Sequence, residues 1–265
     1  MYVDLRKATY PSSVKIALTV GGFVFLLIVW QVLFSLSVFP QSILPSPLQV
    51  LKAFKELYES DGLVKNMMTS IYLNFMGYFE ALAIAIPLGF IIALTPPLRL
   101  LFSKPIDTLR FLPLTAVTGL FIAWFGIGNS MKIHFLAFGI LVYLLPVIIQ
   151  RIDEVDDVYL QTVYTLGASK WQTLKTIYFP SVLSKLSDDT RVLVAISWTY
   201  IIIAEMLNST GGLGSLIFKV GQRQGRIDKV FALLIVIILI GFLQDRLFVL
   251  LDKLLFPFKH KTAKA

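Results

Sequence analysis

Residues capable of catalysis or metal binding are few and widely separated in this chain. The chain has no cysteine, which excludes disulfides, thiolate metal sites and thiol catalysis. Its two histidines, His134 and His260, are far apart in sequence, and His260 lies in a basic tail. We therefore predict no metal site and no enzyme activity.

Four ionisable residues fall within or at the ends of apolar runs, where a charge is costly and needs a reason. Glu80 is predicted either to line a translocation path or to pair with a tyrosine or serine of a neighbouring helix. Glu205 is predicted to orient the glycine-rich segment that follows it. Arg110 and Arg191 fall at helix ends, where snorkelling is the default explanation, although either could also favour an anion leaving a pore.

The elements that carry these residues are predicted to be membrane helices. The chain of 265 residues is 57% hydrophobic and 15% charged, whereas soluble domains carry about a quarter charged residues. Apolar runs of about 20 residues recur, each long enough to cross a hydrocarbon core of ~30 Å. The sequence thus predicts an all-α, polytopic fold. Its spanning segments are expected near residues 14–38, 68–94, 107–125, 132–150, 190–207 and 229–251.

Prolines and loops refine this plan. Pro87 with Gly89, Pro113 and Pro146 are predicted to interrupt the second, third and fourth spans, as in transporters that bend during alternating access. After Pro47, a short interfacial helix is expected near residues 48–57. No repeat or linker divides the chain, so residues 1–265 are predicted to form one membrane domain.

Charge placement predicts the orientation. The net charge is +8, which we attribute to cytoplasmic loops and not to nucleic-acid binding. With the N-terminus inside, 16 of the 24 lysines and arginines lie on the inner side and 8 on the outer side. Both termini and the loop 151–189 are therefore expected in the cytoplasm.

That loop has the pattern of a helical hairpin. The first helix is expected near residues 155–166, with Asp156 and Asp157 at its positive end. Gly167 is suited to a left-handed helix end, and Ser169 with Gln172 forms a capping-box pattern. Pro180 is predicted to end the second helix. Such a hairpin is either a plain surface feature or a docking element for a partner.

Several motifs resemble the permease subunits of ABC importers. The spacing Gly167, Ile177, Pro180 is similar to that of the family's cytoplasmic coupling loop. The order of Leu44-Pro45-Ser46-Pro47, Trp124 to Gly128 with Lys132, and Ala204-Glu205 with Gly211 to Gly214 resembles the nitrate, sulfonate, taurine and bicarbonate branch. The family's usual Glu-Ala-Ala is replaced here by Gln161-Thr162-Val163.

This resemblance implies a bacterial inner-membrane permease that takes a small anion from an external binding protein. It further implies two ATPase subunits, which bind the ATP because this chain has no phosphate-loop motif, and a second permease copy, as a homodimer in the bilayer. The implied ATPase-coupling residues are Asp157, Tyr159, Gln161, Thr162, Val163, Leu166, Gly167, Ala168, Ser169, Ile177 and Pro180.

Two other classes of protein fit the sequence less well. A gradient-driven transporter or channel would need an ion relay, for which Glu80 and Glu205 are a thin basis, and it has no need of a capped hairpin. A membrane-embedded enzyme would need clustered nucleophiles and bases, yet Ser70 and Ser197 lack evident partners in the sequence.

Overall fold

The computed structural model describes residues 10–207 and 210–261, and every regular element in these ranges is helical. Two π-helical segments are present: Leu174–Tyr178, directly before the helix that begins at Phe179, and Lys219–Arg223, directly after the helix that ends at Phe218. The helices are α1 Ser12–Ser35, α2 Pro47–Glu59, α3 Leu63–Leu94, α4 Pro96–Leu109, α5 Leu114–Phe125, α6 Asn129–Asp153, α7 Asp157–Thr165, α8 Lys170–Thr173, α9 Phe179–Leu207, α10 Leu213–Phe218, α11 Ile227–Leu255 and α12 Pro257–Lys261.

The predicted all-α, multi-span class is confirmed. Among the described residues, five helices are long and apolar enough to cross a membrane: α1, α3, α6, the continuous run Lys170–Leu207 and α11. The pair α4 and α5 makes a sixth span if it is counted as one. The interfacial segment after Pro47 is also helical, as α2, and Ser46 and Gln49 close a capping box at its start.

The third span, predicted over 107–125 with an interruption at Pro113, is interrupted there, but the helix before the break begins earlier, at Pro96. α4 ends at Leu109 and α5 begins at Leu114, and the two helices are bent by 105°. The break falls just before Pro113, because a residue that precedes proline avoids the helical region. α5 alone has 12 residues, about 18 Å at the helical rise, which is less than a hydrocarbon core.

The predictions made for three other prolines, by contrast, are wrong. Pro87 and Pro146 lie inside the continuous helices α3 and α6. Pro180 does not end a helix: the chain remains helical from Lys170 to Leu207, so the fifth span begins well before residue 190. The π segment before Pro180 explains the continuity. A π turn leaves one carbonyl without an intrahelical amide, which suits a residue that has no N–H to donate.

Small residues on α3 bring it into close contact with α6. Gly77, Ala81, Ala85 and Gly89 recur at every fourth position and all are buried. A Cβ placed on Gly77 would lie 2.8 Å from a Leu136 side-chain carbon, and one on Gly89 would lie 2.5 Å from Ile148. Such stripes of small residues let membrane helices approach closely. α6 packs against both α3 and α9.

α1 stands apart from this core. None of its residues is buried. Trp30 attaches it to the rest of the protein, because Trp30 Nε1 donates a hydrogen bond of 2.9 Å to the Pro45 carbonyl and its ring lies 5.6 Å from that of Phe231. The bundle that positions the hairpin and the polar residues is thus formed by α3, α6, α9 and α11.

Candidate functional site

Two short helices form the hairpin between α6 and α9, and local hydrogen bonds define where each of them begins and ends. Asp156 begins α7 by accepting from the Val158 amide at 2.9 Å. α7 ends in a Schellman motif, in which the Gly167 amide donates to Tyr164 O and the Ala168 amide donates to Val163 O, each at 3.0 Å. Gly167 has φ +73°, as the helix-stop pattern predicts.

Ser169 then starts α8 with the predicted capping box. Its amide donates to Gln172 Oε1 at 2.7 Å, and the Gln172 amide donates back to Ser169 Oγ at 3.3 Å. The two motifs fix both sides of the turn within four residues. The hairpin is therefore a defined structure and not a loose loop.

Large apolar side chains are exposed at the tip of this hairpin. Tyr159 is 57% exposed, Tyr164 59%, Leu166 80% and Trp171 70%. Asp157, Gln161, Thr162 and Ser169 are exposed beside them, while Val163 and Ala168 are half-buried. Several large apolar side chains exposed on one short segment are typical of a protein-protein contact. Tyr164 lies within the surface from Tyr159 to Thr165 that the sequence predicts as the docking face, whereas Trp171 was not among the predicted coupling residues and is added here because it is exposed.

The base of the hairpin is held rigidly to the bundle. Arg151 at the end of α6 donates twice to Asp189 of α9, each bond 2.7 Å long. Glu154 accepts from Arg151 and from Lys185 of α9. The Arg151 guanidinium, assisted by Lys185 and Gln150, holds the pKa of Glu154 below its usual range. A displacement of the hairpin would therefore move α6 and α9 together.

Ile177 and Pro180 lie at that base and not at the tip. Ile177 is half-buried and packs on the hydrophobic core, and the tilted ring of Phe179 lies 5.8 Å from that of Phe90 of α3. Pro180 is exposed. The coupling residues predicted from spacing thus divide into an exposed tip and an anchoring base.

Glu205 is the centre of a buried polar network. Its carboxylate accepts from Ser70 Oγ of α3 at 2.7 Å and from the Gly214 amide at 2.8 Å, and the residue is fully buried. Lys132 of α6, also fully buried, donates to Gly211 O at 2.9 Å. The network joins two of the motifs that carried the resemblance, and it fastens the segment after residue 210 to α3 and α6.

The partner of Glu80 is a histidine and not the tyrosine or serine that the sequence led us to expect. Its Oε1 lies 2.7 Å from His134 Nδ1 of α6. About a third of each side chain is exposed, 29% for Glu80 and 34% for His134, and the Phe125 ring lies 4.5 Å from the imidazole. The two residues are 54 positions apart, so no sequence spacing pointed to this pair.

Arg110 and Arg191 each have a carboxylate partner. Arg110 bonds Asp107 of the preceding turn at 3.2 Å. Arg191 of α9 is paired with Asp245 of α11. Neither arginine is brought close to Glu80 or Glu205 by a contact in the described part of the chain. No group of three or more metal-ligating side chains occurs among the described residues.

The structure is thus a multi-pass helical bundle that presents a capped hairpin with exposed apolar side chains. The sequence of residues 85–256 matches the family described as binding-protein-dependent transport system inner membrane component. The chain belongs to this family of ABC importer permeases. It is a transport subunit that binds no cofactor of its own, and permeases of this family work with ATPase and binding-protein partners.

Relatives cover most of the chain. One is a permease provisionally assigned to aliphatic sulfonate transport, SsuC of Bacillus subtilis (strain 168), 29% identical over 88% of this chain and 84% of its own length. Another is the taurine transport system permease TauC of Escherichia coli (strain K12), 27% identical over 90% and 88%. The solved MetNI methionine ABC transporter has a chain with TM-score 0.65 and 16% identity, covering 73% of this chain and 95% of its own. The likeness to MetNI supports the fold alone.

Proposed function

We propose that this permease carries a small organic anion of the sulfonate class across a bacterial inner membrane, with taurine, nitrate or bicarbonate as related possibilities. The observation that supports the substrate class is that two relatives covering most of the chain are named for sulfonate and taurine transport. Two copies of the chain enclose the path, and an external binding protein delivers the solute.

The exposed tip of the hairpin is the surface that binds the ATPase. Tyr159, Tyr164 and Leu166 are apolar side chains held in water by a rigid base, and burying them against a partner would be favourable. Gln161 takes the place of the family's usual acid in this contact. Ile177 anchors the surface to the core, Pro180 lies exposed at its base, and Gly167 is the hinge between its two helices.

Among the four candidate path residues, the geometry favours Glu80. A polar pair that is one third exposed cannot face lipid cheaply, so Glu80 and His134 face water or the second copy. Glu205 is buried and serves the segment that follows it. Arg110 and Arg191 are neutralised by Asp107 and Asp245, and they contribute little net attraction for an anion.

Affinity purification of the tagged chain from its native membrane tests this function. We expect an ATP-hydrolysing subunit to co-purify, and Tyr164→Ala to reduce its recovery. The matched control is Tyr58→Ala, because Tyr58 is 67% exposed on α2, away from the hairpin. Equal recovery in both variants would refute the docking surface. An active transporter that purifies without any ATPase would favour a gradient-driven mechanism.

Uptake of labelled taurine and an alkylsulfonate into proteoliposomes containing the whole complex tests the substrate class. We expect competition between the two compounds and none from a neutral sugar of similar size. Uptake of the sugar with no response to sulfonates would overturn the substrate class while leaving the ATPase contact intact.

A further inference from the structure

A carboxylate and an imidazole lie side by side at the surface of the bundle, within two membrane-spanning helices. Glu80 is near the middle of α3 and His134 is near the start of α6, with Glu80 Oε1 2.7 Å from His134 Nδ1. An ionised carboxylate only accepts, so Nδ1 carries the hydrogen of this bond. In the described part of the chain, Glu80 Oε2 and His134 Nε2 have no hydrogen-bond partner. Each side chain therefore keeps one polar atom for another group.

The exposure of this pair at membrane depth needs an explanation. About a third of each side chain is exposed, and an ionisable group that faces hydrocarbon is costly. Such groups are found where they meet water, a partner or a passing solute. The inference that follows rests on the proposed function, in which the exposed side of the pair lines the path between two copies of the chain.

Aromatic side chains at the end of α5 lie next to the pair. The ring of Phe125 is 4.5 Å from that of His134, and the rings of both Phe125 and Trp124 are 5.7 Å from that of Phe121. Phe125 is 43% exposed and Trp124 66%. Aromatic faces attract ammonium groups, and a carboxylate attracts them more strongly through its full charge. Glu80 beside these rings is therefore suited to an organic cation.

The same surface is poorly suited to a solute that carries only negative charge. No lysine or arginine forms an ion pair with Glu80 among the described residues. Arg110 is paired with Asp107. Arg191 is paired with Asp245. Nitrate or bicarbonate would thus approach a carboxylate with no neighbouring cation to offset the repulsion.

We propose that Glu80 and the Phe125 ring bind the ammonium group of a zwitterionic solute, an aminoalkyl sulfonate, in the translocation path. Glu80 Oε2 accepts a hydrogen bond from the ammonium, and the Phe125 ring adds a cation–π contact. His134 positions the carboxylate through its Nδ1–H. This ammonium site selects taurine-like solutes over nitrate, bicarbonate and alkanesulfonates that have no amine.

Because the chain has no cysteine, the charge of this surface can be measured with one introduced thiol. Ile84 is one turn from Glu80 on α3 and is 39% exposed. The permease–ATPase complex in nanodiscs, carrying Ile84→Cys, is treated with an ethylammonium or an ethylsulfonate methanethiosulfonate, and the mass of the permease chain reports the rate. We expect the cationic reagent to react about tenfold faster than the anionic one. Glu80→Gln in the same chain should abolish this preference.

Two controls accompany this measurement. Phe75 is 62% exposed and lies about 140° around α3 from Glu80, so Phe75→Cys should face lipid and react slowly with both reagents. Glu59→Gln removes an exposed acid of α2 and should leave the preference at Ile84→Cys unchanged. Equal rates for the two reagents, or a preference that survives Glu80→Gln, would refute the ammonium site. Reaction of Ile84→Cys as slow as that of Phe75→Cys would also refute it, because the surface would then face lipid.

Protection of the Ile84→Cys thiol tests the solute class. Taurine and 2-hydroxyethanesulfonate are similar in size and share the sulfonate, but only taurine has an ammonium group. At equal ionic strength, we expect saturating taurine to slow the modification at least about fivefold and 2-hydroxyethanesulfonate to have no effect, because a charged hydrogen bond is at stake. Glu80→Gln should remove the protection. Equal protection by both compounds would overturn selection of a zwitterion.

A third compound, β-alanine, separates this inference from the proposed function. If neither sulfonate protects the thiol but β-alanine does so in a way that depends on Glu80, the sulfonate class fails and the ammonium site stands. If none of the three compounds protects it, the ammonium site is refuted, while co-purification of the ATPase still reports on the transport function.

Discussion

At the scale of single residues, the sharpest feature is a glycine whose constraint is conformational and not steric. A Cβ on Gly167 would meet no atom within 4 Å, yet the backbone there has φ +73°. Gly167→Val should therefore cost about 1–2 kcal/mol through the left-handed backbone alone. We expect the reconstituted complex to hydrolyse ATP without taking up solute, because the hairpin is displaced before the bundle unfolds.

Gly241→Ala is the matched control, since Gly241 lies inside α11 with open space around it. Uptake and ATP hydrolysis should remain coupled in this variant. Normal coupled uptake by Gly167→Val would contradict the hinge role.

A second residue-scale prediction concerns the buried carboxylate of Glu205. Glu205→Ala leaves Ser70 Oγ and the Gly214 amide without their acceptor, and Lys132 without its nearby negative charge. Removing one member of a buried charged network costs about 3–5 kcal/mol. Thermal unfolding of the permease in detergent should show a large loss, and Glu205→Gln a smaller one, because the amide keeps one acceptor oxygen. Equal stability of Glu205→Ala and wild type would exclude the structural role.

At the scale of elements, the contact between α3 and α6 depends on the absence of larger side chains on the face of α3 that packs against α6. Gly89→Ala would place a Cβ 2.5 Å from Ile148, so it should destabilise the bundle by about 1–3 kcal/mol. Ile148→Ala in the same chain makes room, and the double variant should be more stable than the sum of the two single changes predicts. Additive losses, measured by thermal unfolding, would show that the two positions are not in contact.

α2 is attached to the start of α11 by ion pairs that respond to pH. Arg226 holds the pKa of Glu56 low by hydrogen bonding. Burial alone would raise the pKa of Asp61, but hydrogen bonds from Lys229 and Lys219 outweigh it and leave the pKa below its usual value. The folded state therefore binds fewer protons than the unfolded state, so this stabilisation is complete above the usual pKa and is lost as the pH falls below about 4.

We expect Asp61→Asn to be less stable than wild type near neutral pH and to converge with it in acid. Thermal unfolding at a series of pH values measures this. A stability gap that is independent of pH would contradict the assignment.

The elements also show where sequence reasoning succeeds and where it fails. The hairpin was predictable because Gly167 and Ser169 act through bonds within a few residues. The effect of Pro180 was not predictable, because a preceding π segment lets the helix continue. The pairing of Glu80 with His134 was hidden for another reason: it depends on how α3 packs along α6, which no local pattern records.

At the scale of the whole molecule, some of the basic residues on the predicted outer side form ion pairs with acids of the same chain. Lys219, Arg226 and Lys229 are ion-paired with Asp61, Glu56 and Asp228. The orientation rule counts lysines and arginines without regard to such pairing, and the excess of 16 over 8 still predicts that both termini lie in the cytoplasm. The orientation of the bundle therefore stays a prediction that labelling can test.

The absence of native cysteine makes this test clean, since every introduced thiol is the only one in the chain. Ser60 at the end of α2 and Lys170 in the hairpin are both exposed and lie on opposite sides of the predicted topology. In intact cells, a membrane-impermeant maleimide should label Ser60→Cys and leave Lys170→Cys unmodified until the membrane is opened. The reverse pattern would show that the protein has the opposite orientation. The hairpin would then lie on the side of the membrane away from any cytoplasmic ATPase. Both the orientation and the proposed coupling surface therefore depend on the outcome of this one comparison.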